Sequence, residues 1–236
     1  MKLNIAKTRV VSYTRKTNFL SYEYQLCHAI ITRTSSIKDL GVFFDSKLHF
    51  HTHVNYIFSE CIQILGLIRS IIYRFSSLEC LYVLYFTLVR CKLEYASVVW
   101  NSITSTDANK LERIQQKFAS VCFYRFFPHI SYTYAYALEK LSLQSLHKRR
   151  HHLDALFLVQ VFRRLKSCAS LLENASLRVP PSNLRDFSLF GVCPSNKHCP
   201  SARCAYAANA VCKDLDIFAI GTVSVNDTEP KIVNNI

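Results

Sequence analysis

Val54, Ile57, Phe58, Cys61, Ile64, Leu65, Ile68, Ile71 and Ile72 recur at i, i+3, i+4 and i+7 spacing. That period puts apolar side chains on one face of an α-helix and commits this stretch to a long amphipathic helix with a buried side. The same pattern continues downstream. Ser76 and Ser77 offer an N-cap, with Glu79 at the positive end of the helix dipole. Leu81, Leu84, Tyr85, Leu88 and Cys91 then form the next stripe, running to about Trp100. Ser105-Thr106-Asp107 opens a third helix with Leu111, Ile114, Phe118, Val121 and Cys122 inward, and Lys110, Arg113 and Lys117 along another face. Pro128 ends it. A shorter helix over Tyr132 to Leu141 leads to one from Leu146 to Leu165, periodic at Leu153, Leu156, Phe157, Val161 and Leu165. Short connections predict an antiparallel helical array.

Upstream, the residues have strand character. Val10 to Tyr13, Tyr24 to Ile31 and Leu40 to Phe44 are rich in β-branched and aromatic residues and read as about three strands. So few strands cannot cover a core, which predicts the edge of a larger sheet. After Lys166 the periodicity weakens and Val179-Pro180-Pro181 breaks any helix. Residues 178 to 204 read as loop-rich, Ala205 to Cys212 as a short docking helix, and Gly221 to Ile236 as a polar end. The fold class is mainly α with a small β remnant.

The hydrophobic fraction of 50% over 236 residues is ample for a core. Lys plus Arg is 29 against 16 for Asp plus Glu, a formal charge of +13. That excess favours a polyanion such as nucleic acid or an anionic membrane surface. The segment Met1 to Arg9 lacks an apolar signal region, so most of the ten cysteines are expected to be reduced and the chain intracellular, cytoplasmic or nuclear. Cys61, Cys80, Cys91 and Cys122 fall in helical apolar patterns and are expected to be small buried hydrophobes. The longest apolar runs stop at Arg69 and Arg90, so no membrane span is expected.

Four segments together carry a resemblance. They are Leu3-Asn4-Ile5-Ala6-Lys7-Thr8; Ile37-Lys38-Asp39-Leu40-Gly41-Val42 with its continuation through Asp45 to His53; Leu88-Val89-Arg90 with Leu93 to Trp100; and Leu111-Glu112-Arg113 to Lys117-Phe118. Their order and spacing resemble the C-terminal part of the reverse transcriptase of jockey-like non-LTR retrotransposons. The resemblance covers about Leu3 to Phe218, most densely Ile37 to Lys117. It implies a palm remnant over residues 1–50 with partial palm strands, a helical thumb over 51–127, a C-terminal helical region over 128–178 and a loop-rich tail over 179–236. The catalytic core of such an enzyme is expected upstream of Met1, making the chain a fragment.

By that resemblance Lys38, Leu40 and Gly41 stand in a primer-grip-like hairpin, where glycine lets backbone approach the primer end. Lys7 stands where the family has a lysine near the incoming nucleotide's phosphates. Lys110, Arg113, Lys117, Lys148, Arg149 and Arg150 become candidates for the nucleic-acid backbone, since a sequence-independent grip needs cations at helix spacing. Two-metal polymerase chemistry needs a close carboxylate pair. No two aspartates are adjacent in this chain, so catalysis is expected to be absent. The complete family enzyme would use magnesium; here no cofactor is expected.

Other constellations are weaker. Asp39 and Asp45 read as turn and cap residues, Glu94 and Tyr95 as a structural hydrogen-bonded pair, and Trp100 as a core anchor. His49, His51 and His53 alternate but lack a further ligand nearby. Cys193, Cys199, Cys204 and Cys212, with His198, give a zinc alternative, but their spacing is irregular. The expected function is a non-catalytic reverse-transcriptase fragment holding template-primer backbone, RNA or DNA, without sequence preference, with the missing palm portion of the same enzyme as a further candidate partner. The alternative is a helical protein-interaction module, or a decayed element product with no function.

Overall fold

The computed structural model describes residues 4, 7–14, 16, 22–74, 77–173, 176–178, 188–191 and 199–211. These residues are mainly helical, with small antiparallel sheets.

Strands β1 (Gln25–Leu26) and β2 (Ala29–Ile30) form a hairpin around Cys27 and His28, whose φ angles are 49° and 64°. The single strand expected over Tyr24 to Ile31 is thus two, because consecutive left-handed residues reverse the chain. Val10 to Tyr13 is not a strand either; it contributes one parallel bridge, Val10 to Arg33. Strands β3 (Ser36–Asp39) and β4 (Val42–Asp45) pair with Ser36 opposite Asp45 and Asp39 opposite Val42. Leu40 and Gly41, at φ 44° and 85°, are the turn of the expected hairpin, whereas the strand read over Leu40 to Phe44 begins only at Val42. Strands β5 (Ser176–Leu177) and β6 (Phe190–Gly191) form a third pair. Among the described residues no ladder joins these pairs into the expected larger sheet.

Helix α1 (His51–Ile71) continues as a 3-10 turn to Arg74. Its entry is set by Asp45, whose carboxylate accepts the backbone N–H groups of Lys47, His49 and Phe50 at 3.3, 3.2 and 3.0 Å. Burial pushes the Asp45 pKa upward, but these backbone donors outweigh it and hold the carboxyl below its ordinary value. Helix α2 (Leu78–Leu84) is capped by the Ser77 hydroxyl. It passes through a π-helical segment, Tyr85–Arg90, into α3 (Cys91–Glu94). Ala96, at φ 51°, breaks the helix expected to reach Trp100 and starts α4 (Ser97–Trp100).

The π segment also shifts the buried stripe. Leu81, Tyr85, Val89 and Leu93 are fully buried, while Leu88 and Cys91, expected inside, are exposed. Four residues per repeat would drift around a regular helix, and the wider π turns absorb the drift. Of the cysteines expected to be buried, Cys61 and Cys122 are, with burial pushing both thiols up to about 12, whereas Cys80 and Cys91 are exposed.

Helix α5 (Ser105–Phe126) is capped by Thr104, one residue earlier than expected. Helices α6 (Tyr134–Lys140), α7 (Leu146–Phe162), α8 (Ala169–Glu173) and α9 (Pro200–Val211) follow. In α7 the expected stripe of Leu153, Leu156, Phe157, Val161 and Leu165 holds only at Val161, with Leu153, Leu156 and Phe157 half-buried. Leu146, Arg149, Arg150, Asp154, Ala155, Leu158, Val159 and Val161 are buried, and Leu165 lies beyond the helix end, exposed.

Contacts fix the directions of the long helices. Glu60 meets Lys92 at 2.9 Å, and the Cys61 thiol donates to the Val89 carbonyl, so α2 to α3 runs antiparallel to α1. His51 meets Asp107 at 2.9 Å, Lys110 bonds Asn55, and Arg125 lies over the Tyr73 ring. Helices α1 and α5 therefore lie side by side and parallel. Their positive ends share the Asp107 carboxylate, which suits both dipoles.

One hydrophobic cluster runs from Val42 to Leu146, across residues 50 and 127 where subdomain boundaries were expected. Tyr85 and Phe118 stack at its centre, ring centroids 4.0 Å apart. A second cluster joins α7, β6 and α9, including Leu158, Phe190 and Cys204. By length and composition His51–Arg74 is long and apolar enough to cross a membrane, contrary to the sequence expectation that Arg69 cuts the run short. In the structure Val54, Ile57, Cys61 and Ile68 of this helix are buried in the first cluster, and His53 is buried as well.

Candidate nucleic-acid interface

The β3–β4 turn is tied to the helices by one polar contact: the Tyr95 hydroxyl donates to the Leu40 carbonyl at 2.9 Å. A Cβ on Gly41 would sit 3.4 Å from the Tyr95 ring, and the positive φ already favours glycine there. The side chain of Leu40 is 83% exposed at the tip. Lys38 reaches back, its Nζ 4.4 Å from the Tyr56 ring centroid and 5.0 Å from that of Phe43. Lys7 is exposed, and its backbone N–H donates locally to the Asn4 carbonyl at 3.1 Å.

The sequence-predicted cations divide by burial. On α5, Arg113 and Lys117 are exposed, but Lys110 is drawn onto α1, hydrogen-bonded to Asn55 with its Nζ 4.9 Å from the Phe58 ring. On α7 only Lys148 is exposed. Arg149 is buried against Glu94, donating from Nε and, at 3.1 Å, from a terminal nitrogen. Arg150 is 1% exposed and donates from Nε to the Asn101 side chain at 2.9 Å. The expectation that Arg149 and Arg150 touch nucleic acid is corrected: both guanidiniums face inward.

The parallel packing of α1 and α5 leaves a groove that sequence spacing could not show. Two adjoining clefts, of about 270 and 430 Å³, share Arg69 and Val121. The first has Ile62, Leu65 and Phe118 as its floor and Lys117 at its side. The second is lined by Tyr73, Tyr124 and Arg125, with the guanidinium of Arg125 5.4 Å from the Tyr73 ring centroid. Tyr73 and Tyr124 are 77% and 62% exposed. Among the described residues lining either cleft there is no carboxylate. Cations beside exposed aromatic rings can neutralise the phosphates of a nucleic-acid backbone. Arg69, Tyr73, Tyr124 and Arg125 were not singled out from sequence. The signal was there in principle, since the ends of the two longest apolar helices each carry an Arg and a Tyr, but their proximity follows only from the parallel packing.

Other candidates resolve into structural roles. Glu94 pairs with Arg149 and Arg90, and Tyr95 with Leu40, so the expected Glu94–Tyr95 pair does not form. Trp100 is fully buried, and its indole N–H donates to the Tyr95 carbonyl at 2.8 Å. His51 pairs with Asp107, and His53 is buried edge-on to Trp100. Burial and, secondarily, Lys38 hold the His53 pKa down to about 4. Cys193, Cys212 and His198 lie outside the described residues. Cys204 is buried and its thiol pushed up to about 12, opposite to the thiolate zinc needs. Among the described residues no three His, Cys, Asp or Glu side chains converge on a metal position. They do not fit the divalent ion that the resemblance implies for the complete enzyme.

No protein-family model matches the chain, and neither curated proteins nor solved structures give a match.

Proposed function

We propose that this chain grips the backbone of a nucleic acid without catalysing its synthesis, as the thumb and end-of-palm part of a jockey-like non-LTR retrotransposon reverse transcriptase would. The observation that carries the reading is the α1–α5 groove, where Arg69 and Arg125 flank the exposed rings of Tyr73 and Tyr124 and Lys117 lines the adjoining cleft, without a carboxylate among the described lining residues. Arg113 extends the basic surface along α5. In this reading Leu40 and Gly41 are the primer-grip turn, held against the helices by Tyr95. Contacts to phosphate carry no sequence information, so binding is non-specific and salt-dependent.

The test is binding to a labelled duplex across a salt series. Neutralising Z phosphates gives a log–log slope of roughly −0.9Z for B-form DNA. The triple variant Arg69→Ala, Lys117→Ala, Arg125→Ala flattens that slope by about two to three units while leaving base preference unchanged. An unchanged slope removes the groove from the account.

A second reading, docking of a protein partner, is favoured by the apolar floor of Ile62, Leu65 and Val121 and by Leu67, which is 67% exposed on the same helix. It predicts that Leu65→Asp abolishes partner binding, with no salt-dependent duplex binding to lose.

A further inference from the structure

A third cleft, of about 400 Å³, opens where the N-terminus of α5 faces α7, away from the α1–α5 groove. Its polar lining comes from Asn101, Ser105, Asn109, His147, Arg150 and His151, and none of its described lining residues is acidic. His147 and His151, one turn apart on α7, bring their Nε2 atoms to 3.3 Å.

Arg150 distinguishes this cleft from an ordinary helix end. It is 1% exposed, its Nε is spent on the neutral Asn101 side chain, and its terminal nitrogen Nη1 is buried with no hydrogen-bond partner. The hydrogen bonds of the neighbouring carboxylates go elsewhere, and Asp154 Oδ1 is itself buried without a partner. Asp154 accepts from Arg203 and Asn101, both at 2.8 Å, Glu94 holds Arg149, and Glu112 accepts the Leu146 backbone N–H at 3.0 Å. Glu112, Asp154 and Glu94 offset part of the cost of burying this guanidinium, yet burial prevails and lowers its pKa, and an anion in the adjoining cleft would offset more of that cost. Burial first, with His147, Arg150 and Arg203 adding to it against the opposing pull of Asp154, holds the His151 imidazole below its ordinary pKa.

We propose that this cleft is a phosphate-binding site, in which Arg150, the His147–His151 pair, Asn109 and the first-turn amides of α5 hold a tetrahedral oxyanion. Guanidinium, imidazole, amide and hydroxyl donors surround the space from two helices, while Thr104 and Asp107 already cap part of the α5 end. The cleft is larger than a lone phosphate needs, so a phosphate group attached to a larger molecule fits it. The site stands independently of the α1–α5 groove.

The experiment is a titration of the full chain with inorganic phosphate at constant pH and ionic strength, followed by amide and imidazole NMR shifts. The expected result is saturable shifts confined to Ser105, Asn109, His147, Arg150 and His151. Asn109 is exposed at the cleft mouth, so Asn109→Asp sets a carboxylate there without touching the buried pairs. It weakens phosphate binding by about tenfold, the range for losing one hydrogen bond to a charged group. His147→Gln combined with His151→Gln weakens it similarly. Shifts that never saturate, or equal affinity in wild type and Asn109→Asp, overturn the proposal. In a competition arm, a duplex that displaces inorganic phosphate assigns the site to backbone phosphates and contradicts the reading that the α1–α5 groove alone receives them. A duplex that binds without displacing it assigns the site to a free or small-molecule phosphate. Either outcome upholds the oxyanion site, and a failed salt-slope experiment at Arg69, Lys117 and Arg125 leaves it standing.

Discussion

His53 carries the clearest single-residue consequence. Its imidazole is 2% exposed, held by packing on Trp100 and by the Phe43 backbone N–H at 3.4 Å. The unfolded chain protonates this group near 6.5, the folded chain only near 4. Protonation therefore favours unfolding between those values: the His53 contribution is complete above pH 6.5, falls as pH drops through the window, and is spent below 4. The shift corresponds to at most roughly 3 kcal/mol. Urea denaturation at pH 7.5 and 4.5 checks it, with His53→Gln shrinking the difference between the two. His151 and His152 are shifted in the same direction and leave a residual slope in that variant. The expectation for Trp100 as a core anchor rested on its size and apolar setting, and the structure places it there. His53 was read only as one of three alternating histidines, because nothing in its local sequence announces that a β-hairpin and an indole will enclose it.

At the scale of elements, α1 and α5 were legible because each places apolar residues at one regular period, and their ends fall within a few residues of expectation. The π segment was not, since a reading at 3.6 residues per turn selects Leu88 and Cys91 where the chain buries Val89 and Leu93. The strict fourfold spacing of Leu81, Tyr85, Val89 and Leu93 was the available signal. The register has a direct check in thermal or urea denaturation: Val89→Ala destabilises by about 2 kcal/mol, whereas Leu88→Ala costs under about 0.5 kcal/mol. Equal costs would contradict the π-shifted stripe. Helix α7 was misread for a different reason. Its core positions are occupied by Arg149, Arg150 and Asp154, polar residues whose burial depends on partners far away in sequence, such as Glu94, Asn101 and Arg203.

Those partners matter to the whole molecule, because they form an ionic seam between the two hydrophobic clusters. Asp154 is fully buried and bonds both Asn101, next to α4, and Arg203 of α9, while Arg203 also donates to the Val98 carbonyl. Removing one member strands the others in low dielectric. Asp154→Ala is expected to destabilise by about 3–5 kcal/mol, against under about 1 kcal/mol for Glu60→Ala, which breaks only the part-exposed pair with Lys92. Chemical denaturation of both variants measures the contrast. The groove between α1 and α5 is likewise a property of the assembled molecule: Arg69 and Arg125 are 56 residues apart by number and meet only because two helices run parallel. The central claim is that this groove, and not the Lys148 to Arg150 cluster, receives the nucleic-acid backbone. Photo-crosslinking of the full chain to a nucleic-acid duplex carrying a backbone-tethered probe, with the adducts mapped by peptide, tests it most directly. The account predicts adducts at peptides containing Arg69, Tyr73, Lys117, Tyr124 and Arg125; adducts concentrated on the peptide spanning Lys148 to Arg150, with none on α1 or α5, would contradict it.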